Sequence, residues 1–290
     1  ALGDLGQDPE DDPGRRRVRA ARADGQSLAG VDLAGADLSS LDLAGLDLRG
    51  AILVRANLSG ARLEECNLDG AVLAEAELSQ ASFDACSLRE ADLSSVRAER
   101  LRLHACTLDD ALIAGSYLRE ARLMKTDLPR VELVGSDLAE AEVRGCVLDE
   151  ADLSGCVLEQ VVFRECRLAD AWLEGGVRAQ RLRLDGCEAP LIRCSEEGDF
   201  EGASFRQAHL DGARFGAARL QRANFALASL RRADFSEALL LDASLPGCDL
   251  RLARFDGASL LKASLRMADL MQARFEGADL RHADLRGANL

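Results

Sequence analysis

The chain has 290 residues and a formal net charge of −14, from 50 acidic and 36 basic side chains. Only 4% of the residues are aromatic, so we expect stacked repeats rather than an ordinary globular core to fill the interior. The acidic balance disfavours nucleic acid and anionic membranes as partners and favours a basic protein surface. No apolar run approaches the ~20 residues of a membrane span, and no secretory signal is visible, so we expect a cytoplasmic protein.

The first 25 residues precede any repeat. They contain an acidic stretch with two prolines, which runs directly into Arg15, Arg16 and Arg17. Chain ends of this composition are typical of mobile tails and of short caps, so we predict a flexible or capping segment over residues 1–25. An arginine-rich binding arm is the less supported alternative.

Residues 26–173 repeat with a period of five. From Leu28 to Leu173, every fifth residue is Leu or Phe, except at Ala98, Ile113 and Val143. A small residue, usually Ala, stands two positions before each of these centres, and the position between them is most often polar. Because a period of five fits neither a helix nor a strand, we predict short extended sides separated by corners.

A second block with the same pattern covers residues 200–290. All of its centres, from Phe200 to Leu290, are Leu or Phe. The interval from Leu173 to Phe200 exceeds a multiple of five by two, so two additional residues shift the register. We therefore predict a register break with a small loop at 174–199, within one continuous coil.

The aromatic residues give the number of sides in a coil. Phe215, Phe235 and Phe255 recur at every twentieth position, and Phe205 and Phe225 repeat this interval. Aromatic rings pack well above one another on neighbouring coils. The sequence therefore predicts 20-residue coils with four sides of five.

The repeat unit resembles that of the pentapeptide-repeat family. The segments Ala91-Asp92-Leu93-Ser94-Ser95 and Ala283-Asp284-Leu285-Arg286-Gly287 carry the resemblance, which extends over residues 26–290. It implies an all-β fold, a quadrilateral right-handed parallel β-helix (a pentapeptide-repeat solenoid) with 20-residue coils. Leu or Phe would lie at the centre of each side, and the small residue two positions earlier would also point inward.

The cysteines fit this interior. Seven of the nine stand two positions before a centre: Cys66, Cys86, Cys106, Cys146, Cys156, Cys166 and Cys248. That position requires a small apolar side chain, and free cysteine behaves as one. No CxxC spacing is present, so we predict reduced core thiols and no metal site or cofactor.

Nothing in the sequence has the pattern of a catalytic site. His104, His209 and His282 fall at outward positions on different coils, and there is no phosphate-binding loop or nucleophile motif. We therefore expect a binding protein without catalytic residues. The polar residues before each centre are interpreted as solvated or turn-bonding groups.

Acidic residues concentrate on one column of sides, which is centred on Leu48, Leu68 and the residues that follow at intervals of 20. We predict a partner-binding face from the acids of this column: Asp47, Asp69, Glu90, Asp109, Asp110, Asp127, Asp149, Glu150 and Asp170. Along the chain, residues 1–200 hold 39 of the 50 acids, whereas residues 201–290 are nearly neutral.

The resemblance also implies a function. The Qnr, MfpA and albicidin-resistance types of pentapeptide-repeat protein resemble duplex DNA in shape and charge, and protect bacterial type II topoisomerases such as DNA gyrase and topoisomerase IV from poisons. Similarity to them implies a DNA mimic that confers antibiotic resistance. A structural scaffold with an unrelated protein partner is the alternative.

Two apolar sets are candidate contact surfaces. One set shares a column with Leu33 and would serve a scaffold: Ile52, Val54, Val72, Leu112, Val134 and Trp172. The other lies in the last coils and would serve self-association: Leu239, Leu241, Leu261, Met267 and Met271. Because the chain stops inside a repeat at Leu290, either further residues follow or a second copy covers the end, and we expect a homodimer through the C-terminal coils.

Overall fold

Parallel β-structure dominates the protein. The computed structural model describes residues 12–194 and 197–290, where one helix precedes a stack of coils. The named elements are α1 (Pro13–Asp24), β1 (Arg62–Glu64), β2 (Ser82–Asp84), β3 (Arg102–His104), β4 (Arg122–Met124), β5 (Glu142–Arg144) and β6 (Val162–Arg164). The strands form one parallel sheet in chain order, with paired residues 20 positions apart, as in Arg62 and Ser82. The predicted four-sided β-helix with 20-residue coils is confirmed.

Parallel bridges connect each coil to the next on four sides, which we number as faces. Face 1 follows the bridged residues from Asp32 to Arg274, face 2 those from Asp37 to Asp279, face 3 those from Asp42 to Asp284, and face 4 those from Asp47 to Asn289. Strands β1 to β6 belong to face 3. Each face therefore presents a ladder of outward side chains, about 4.8 Å apart along the axis.

The five-residue repeat builds one side and one corner. The Ala36 amide donates to the Leu33 carbonyl at 3.1 Å, which closes a four-residue turn. Gly35 occupies the left-handed region of this turn with φ of 67°, a conformation that glycine adopts at no steric cost. The Asp32 carboxylate accepts a hydrogen bond from the Ala34 amide at 3.0 Å. Where an aspartate stands before a centre, as here, its side chain stabilises the corner, in agreement with the turn-bonding interpretation.

The core is a column of stacked aliphatic and aromatic side chains. Leu or Phe from each side meets the small residue of the same side, and nearly all are fully buried from Leu28 to Leu270. Phe215, Phe235 and Phe255 lie on face 1, with centroids of neighbouring rings 5.0 Å apart and nearly parallel planes. Phe205 of the opposite face 3 packs edge-on against Phe215 at 5.6 Å. This is the aromatic stacking that the 20-residue spacing predicts.

The register break is divided between two coils. Val157 bridges Arg178, and Arg178 bridges Asp199, so each of these steps is one residue longer than the usual step of 20. The first additional residue lies at Gly175-Gly176, where both φ values are positive. Arg193 and Asp199 are six positions apart instead of five, so the second falls between these two bridged residues. The bridges between neighbouring coils continue from Arg178 to Asp199.

Helix α1 lies over the first coil. Asp12 caps it by accepting the Arg15 amide at 2.7 Å, and Gly25 ends it with φ of 64°. Val18 is buried in the same core cluster as the coils, and the Arg15 guanidinium donates to the Ser39 carbonyl at 3.0 Å. Residues 1–11 of the predicted N-terminal segment lie outside the described residues. No helix in the described ranges is long and apolar enough to cross a membrane.

Candidate protein-binding surface

Face 4 brings together all nine acids of the predicted binding face. Asp47 and Asp127 occupy the bridged position in the middle of a side. The other seven occupy the turn positions that follow it, and backbone hydrogen bonds stack those turns on neighbouring coils, as from Asp110 to Pro129 at 3.2 Å. The acidic column is therefore continuous along the axis.

Arginines neutralise more than half of this column. Asp110 receives two hydrogen bonds from the Arg130 guanidinium, at 2.7 and 2.8 Å. Four further pairs occur on this face: Asp47 with Arg49, Asp109 with Arg89, Asp149 with Arg167, and Asp170 with Arg193. The Arg130 hydrogen bonds hold the pKa of the Asp110 carboxyl below its usual value. Hydrogen bonds from Arg49 and Ser27 lower the pKa of Asp47 in the same way.

Three acids of face 4 stay exposed and form no ion pair of their own. Glu90, Asp127 and Glu150 make no side-chain hydrogen bond or ion pair within residues 12–194 and 197–290, although Arg130 lies near enough to Glu150 to interact with its charge. Asp69 accepts hydrogen bonds from the Ser87 hydroxyl and the Arg89 amide, so it serves the local turn. The negative charge that a partner could meet is therefore centred on Glu90, Asp127 and Glu150.

The apolar set of the Leu33 column lies on face 1, but acids separate its members. Ile52 bridges Val72 directly, whereas Asp92 stands between Val72 and Leu112 in the ladder. Glu132 and Asp152 then separate Leu112 from Trp172. The side chains are 38–41% exposed at Ile52, Leu112, Val134 and Trp172, and half-buried at Val54 and Val72. The Arg193 guanidinium covers the Trp172 ring at 4.5 Å from its centroid.

The second apolar set does not form one patch. Leu239, Leu241 and Leu261 lie together on face 2, whereas Met267 lies at the corner from face 3 to face 4 and Met271 lies on face 4. Exposed fractions are 42% for Leu239, 71% for Met267 and 46% for Met271. A single contact could therefore cover the three leucines or the two methionines, but not all five.

Buried thiols and hydroxyls lie mostly at two corners of the interior. Nine free cysteines are buried, and most of their thiols donate to carbonyls of the preceding coil, as from Cys156 to Leu133 at 3.0 Å and from Cys248 to Phe225 at 2.9 Å. Burial raises the pKa of Cys156 and Cys248 to about 12. No group of three or more His, Cys, Asp or Glu within the described part of the chain could hold a metal ion.

Two features of this surface were not predicted. The ion pairs join residues 18 to 23 positions apart in most cases, so only the observed register reveals them. Large apolar side chains also occupy left-handed turn positions in the register-break segment, at Leu191, and in the second block, at Leu227, Leu252 and Met267. The five-residue grid already marked those turn positions, and sorting them by corner would have found the pattern.

Three solved structures illustrate what this chain is similar to. The HetL pentapeptide repeat protein from Nostoc sp. strain PCC 7120, involved in heterocyst differentiation regulation, is similar at 27% identity, over 93% of this chain and 94% of that chain, with a TM-score of 0.31. QnrB1 (R167E, trypsin treated), a plasmid-mediated fluoroquinolone resistance protein, is similar at 17% identity, over 86% and 89%, with a TM-score of 0.37. A pentapeptide repeat protein of the Arabidopsis thaliana thylakoid lumen is 24% identical, over 46% and 70%, with a TM-score of 0.22.

No curated protein sequence matches the chain. The family model of pentapeptide repeats matches it in eight copies, at residues 19–53, 56–94, 141–176, 199–236, 233–270 and 253–290. These ranges cover more than half of the chain, and their coils carry the side and corner geometry described above. The chain belongs to the pentapeptide-repeat family.

Proposed function

We propose that this protein binds a bacterial type II topoisomerase, DNA gyrase or topoisomerase IV, by imitating duplex DNA with face 4, and thereby protects the enzyme from a topoisomerase poison. The observation that carries the proposal is the continuous acidic column with Glu90, Asp127 and Glu150 free to meet a partner. A site that binds DNA is rich in cationic side chains, so exposed carboxylates on a rod are complementary to it.

The charge density of the first block is of the right order for a mimic. Residues 31–175 hold 28 acids and 14 bases, a net charge of −14. Seven coils at about 4.8 Å each rise roughly 35 Å, over which B-DNA carries about 20 phosphate charges. The protein therefore has about two-thirds of the linear charge of the duplex.

The ion pairs limit where a partner would gain binding energy. A carboxylate that is already paired with an arginine, such as Asp110 with Arg130, attracts a cationic partner only weakly, because the pair has little net charge. Glu90 and Asp127 are two coils apart and Glu150 follows one coil later, so the free carboxylates span about 15 Å of the axis. A cationic site of that length is the expected counterpart on the enzyme.

The test is DNA supercoiling by bacterial gyrase in the presence of a poison, as the protein is titrated. We expect protection, and we expect the triple variant Glu90→Lys, Asp127→Lys and Glu150→Lys to abolish it. The matched control carries the same charge change at Glu64, Glu65 and Glu132, which are exposed on faces 3 and 1. Full protection by the face-4 variant, or none by the unchanged protein at micromolar concentration, would refute the proposal.

A scaffold with an unrelated partner is the second candidate, and the exposed Ile52 and Leu112 on face 1 favour it. The acids between these residues make that surface discontinuous, so we rank it second. Serine replacements at Ile52 and Leu112 should leave gyrase protection unchanged if face 4 is the binding face. Homodimer formation through the C-terminal coils and a cytoplasmic location remain predictions.

A further inference from the structure

Four large apolar residues between positions 191 and 267 occupy an unfavourable backbone conformation. Of the 34 non-glycine residues with positive φ in the described ranges, only Leu191, Leu227, Leu252 and Met267 have large apolar side chains. Their φ values are 57–63°. This region is disfavoured for residues with a Cβ, and glycine takes it at 20 other positions of the described chain.

Packing inside the protein does not explain these residues. Their side chains stay exposed, at 55% for Leu191, 60% for Leu227, 42% for Leu252 and 71% for Met267. The side chains of Leu191, Leu227 and Met267 each extend over a glycine of the next coil. Any other residue at those glycines would place its Cβ too close to them: 2.7 Å from Leu191 at Gly212, 2.9 Å from Leu227 at Gly247, and 2.4 Å from Met267 at Gly287. The glycines let each long side chain lie flat along the axis while its outer surface faces solvent.

All four residues lie on the two corners that border face 4. Leu227 and Met267 belong to the corner from face 3 to face 4, whereas Leu191 and Leu252 belong to the corner from face 4 to face 1. The other two corners of the second block carry Ala, Gly or charged and polar residues at the same turn position. The result is two apolar rims along one face, which we call the rimmed face, bounded by Leu191, Leu227, Leu252 and Met267.

Arginines lie between and beside the rims. Arg231 and Arg251 both pair with Asp249, with closest contacts of 2.6 and 2.5 Å, and Arg251 also pairs with Asp269 at 3.6 Å. The Arg232 guanidinium is exposed and makes no hydrogen bond or ion pair within residues 12–194 and 197–290. Arg231, Arg232 and Arg251 line a cleft of about 550 Å³ between Leu191 and Leu252, together with Asp211. The rimmed face therefore offers apolar contact together with one unpaired positive charge, at Arg232.

We infer that the rimmed face binds an amphipathic α-helix of a partner protein, with leucine-like side chains over the rims and a carboxylate at Arg232. The face is about 10 Å wide, close to the diameter of a helix with its side chains. Leu227 and Met267 are two coils apart, about 10 Å, which matches the spacing of residues seven apart on a helix. Leu191 and Leu252 are three coils apart, about 14 Å. The site begins one coil beyond Asp170, the last acid of the acidic column, and extends along face 4 into the nearly neutral block.

A helix fits better than the other occupants. Backbone bridges connect face 4 from coil to coil between Glu188 and Asn289, so the middle of the face has no free edge to which a partner strand could add. A second copy is disfavoured by charge. Arg232 lies midway along the rimmed face, so twofold packing through it would bring two unpaired guanidinium groups together.

The experiment uses the full chain and a synthetic, fluorescein-labelled helical peptide of about 20 residues, with Leu repeated at helical spacing and Glu elsewhere. Fluorescence anisotropy should show saturable binding that weakens with salt. Neither a scrambled peptide nor a version with Lys for Glu should bind. Absence of saturable binding, or equal binding of either control peptide, would overturn the inference.

Variants separate binding from folding. Leu227→Gly with Leu252→Gly shortens both rims and places glycine where the backbone favours it, so the thermal midpoint should stay or rise while affinity falls about tenfold. Arg232→Glu changes only an exposed side chain and should also weaken binding about tenfold. Leu239→Ser is the matched control, because Leu239 is 42% exposed like Leu252 but lies on face 2.

Two outcomes of these variants would contradict the inference. Unchanged peptide affinity in both Arg232→Glu and the double glycine variant would show that the peptide binds elsewhere. A change in oligomeric state with the double glycine variant, measured by light scattering and without loss of peptide binding, would show that a second copy covers the rimmed face.

Discussion

Raising the pH above 9 should destabilise this protein through its buried thiols. Burial raises the pKa of Cys156 and Cys248 to about 12. In the unfolded chain a thiol ionises near its ordinary pKa of about 8.5, so between these values the unfolded state releases protons that the folded state keeps. Because the folded pKa is raised, the stabilisation is complete below pH ~8.5 and is lost as the pH rises towards 12.

The expected loss is large enough to measure. Each such thiol lowers the free energy of unfolding by about 1.4 kcal/mol per pH unit in this range. From pH 9 to 10.5, Cys156 and Cys248 together should remove about 4 kcal/mol, compared with a typical total of ~5–15 kcal/mol. Tyr and Lys add little, because the chain has one Tyr and two Lys, but the pKa values of five further buried thiols are also raised and these thiols add to the loss: Cys66, Cys86, Cys146, Cys187 and Cys194.

The assay is urea unfolding at several pH values from 8 to 10.5 under reducing conditions. The double variant Cys156→Ala and Cys248→Ala should fold, since Ala is the usual residue at this position, and should lose about 4 kcal/mol less than the unchanged chain from pH 9 to 10.5. Ser116→Ala is a matched control, since Ser116 is buried at the same corner as Cys156 and has no thiol to ionise. A double variant that loses stability as steeply as the unchanged chain would refute the reasoning.

Three further changes test the interior by urea unfolding. Ser136→Ala should cost about 1–3 kcal/mol, because the Ser136 hydroxyl accepts the buried Ser116 amide at 3.0 Å; an unchanged midpoint would contradict this. Phe235→Ala should cost about 3–5 kcal/mol, since the ring is fully buried between two stacked rings, and a loss below about 1 kcal/mol would contradict that packing. Arg15→Ala should cost about 1–2 kcal/mol by removing its bond to the Ser39 carbonyl; no loss would show that α1 adds little to the first coil.

The coil was predictable because its signal is local and repeated. A centre such as Leu33, a small residue such as Ala36 and a turn residue such as Gly35 recur every five positions, so one unit defines the side and the corner. The spacing of Phe215 and Phe235 then gives the coil length, and with it the face of every outward residue. The gathering of the acids on face 4 follows from that arithmetic.

The state of those acids could not be predicted in the same way. Whether Asp110 is free depends on where the Arg130 guanidinium lies one coil later, and this side chain has many rotamers.

The form of the register break could not be predicted from the sequence either. Its two additional residues could have formed one loop, and the structure instead places one residue at the same corner of two successive coils, which preserves the bridges from Val157 to Arg178 and onward to Asp199.

Competition with DNA for the enzyme tests the central claim most directly. A fluorescent linear duplex bound to bacterial gyrase would be titrated with this protein, and displacement followed by anisotropy at low and at physiological salt. The proposal predicts that the protein displaces the duplex, more weakly at higher salt, and that reversing Glu90, Asp127 and Glu150 to Lys abolishes displacement. Binding to gyrase that leaves the duplex in place, or displacement by the triple variant, would contradict the account.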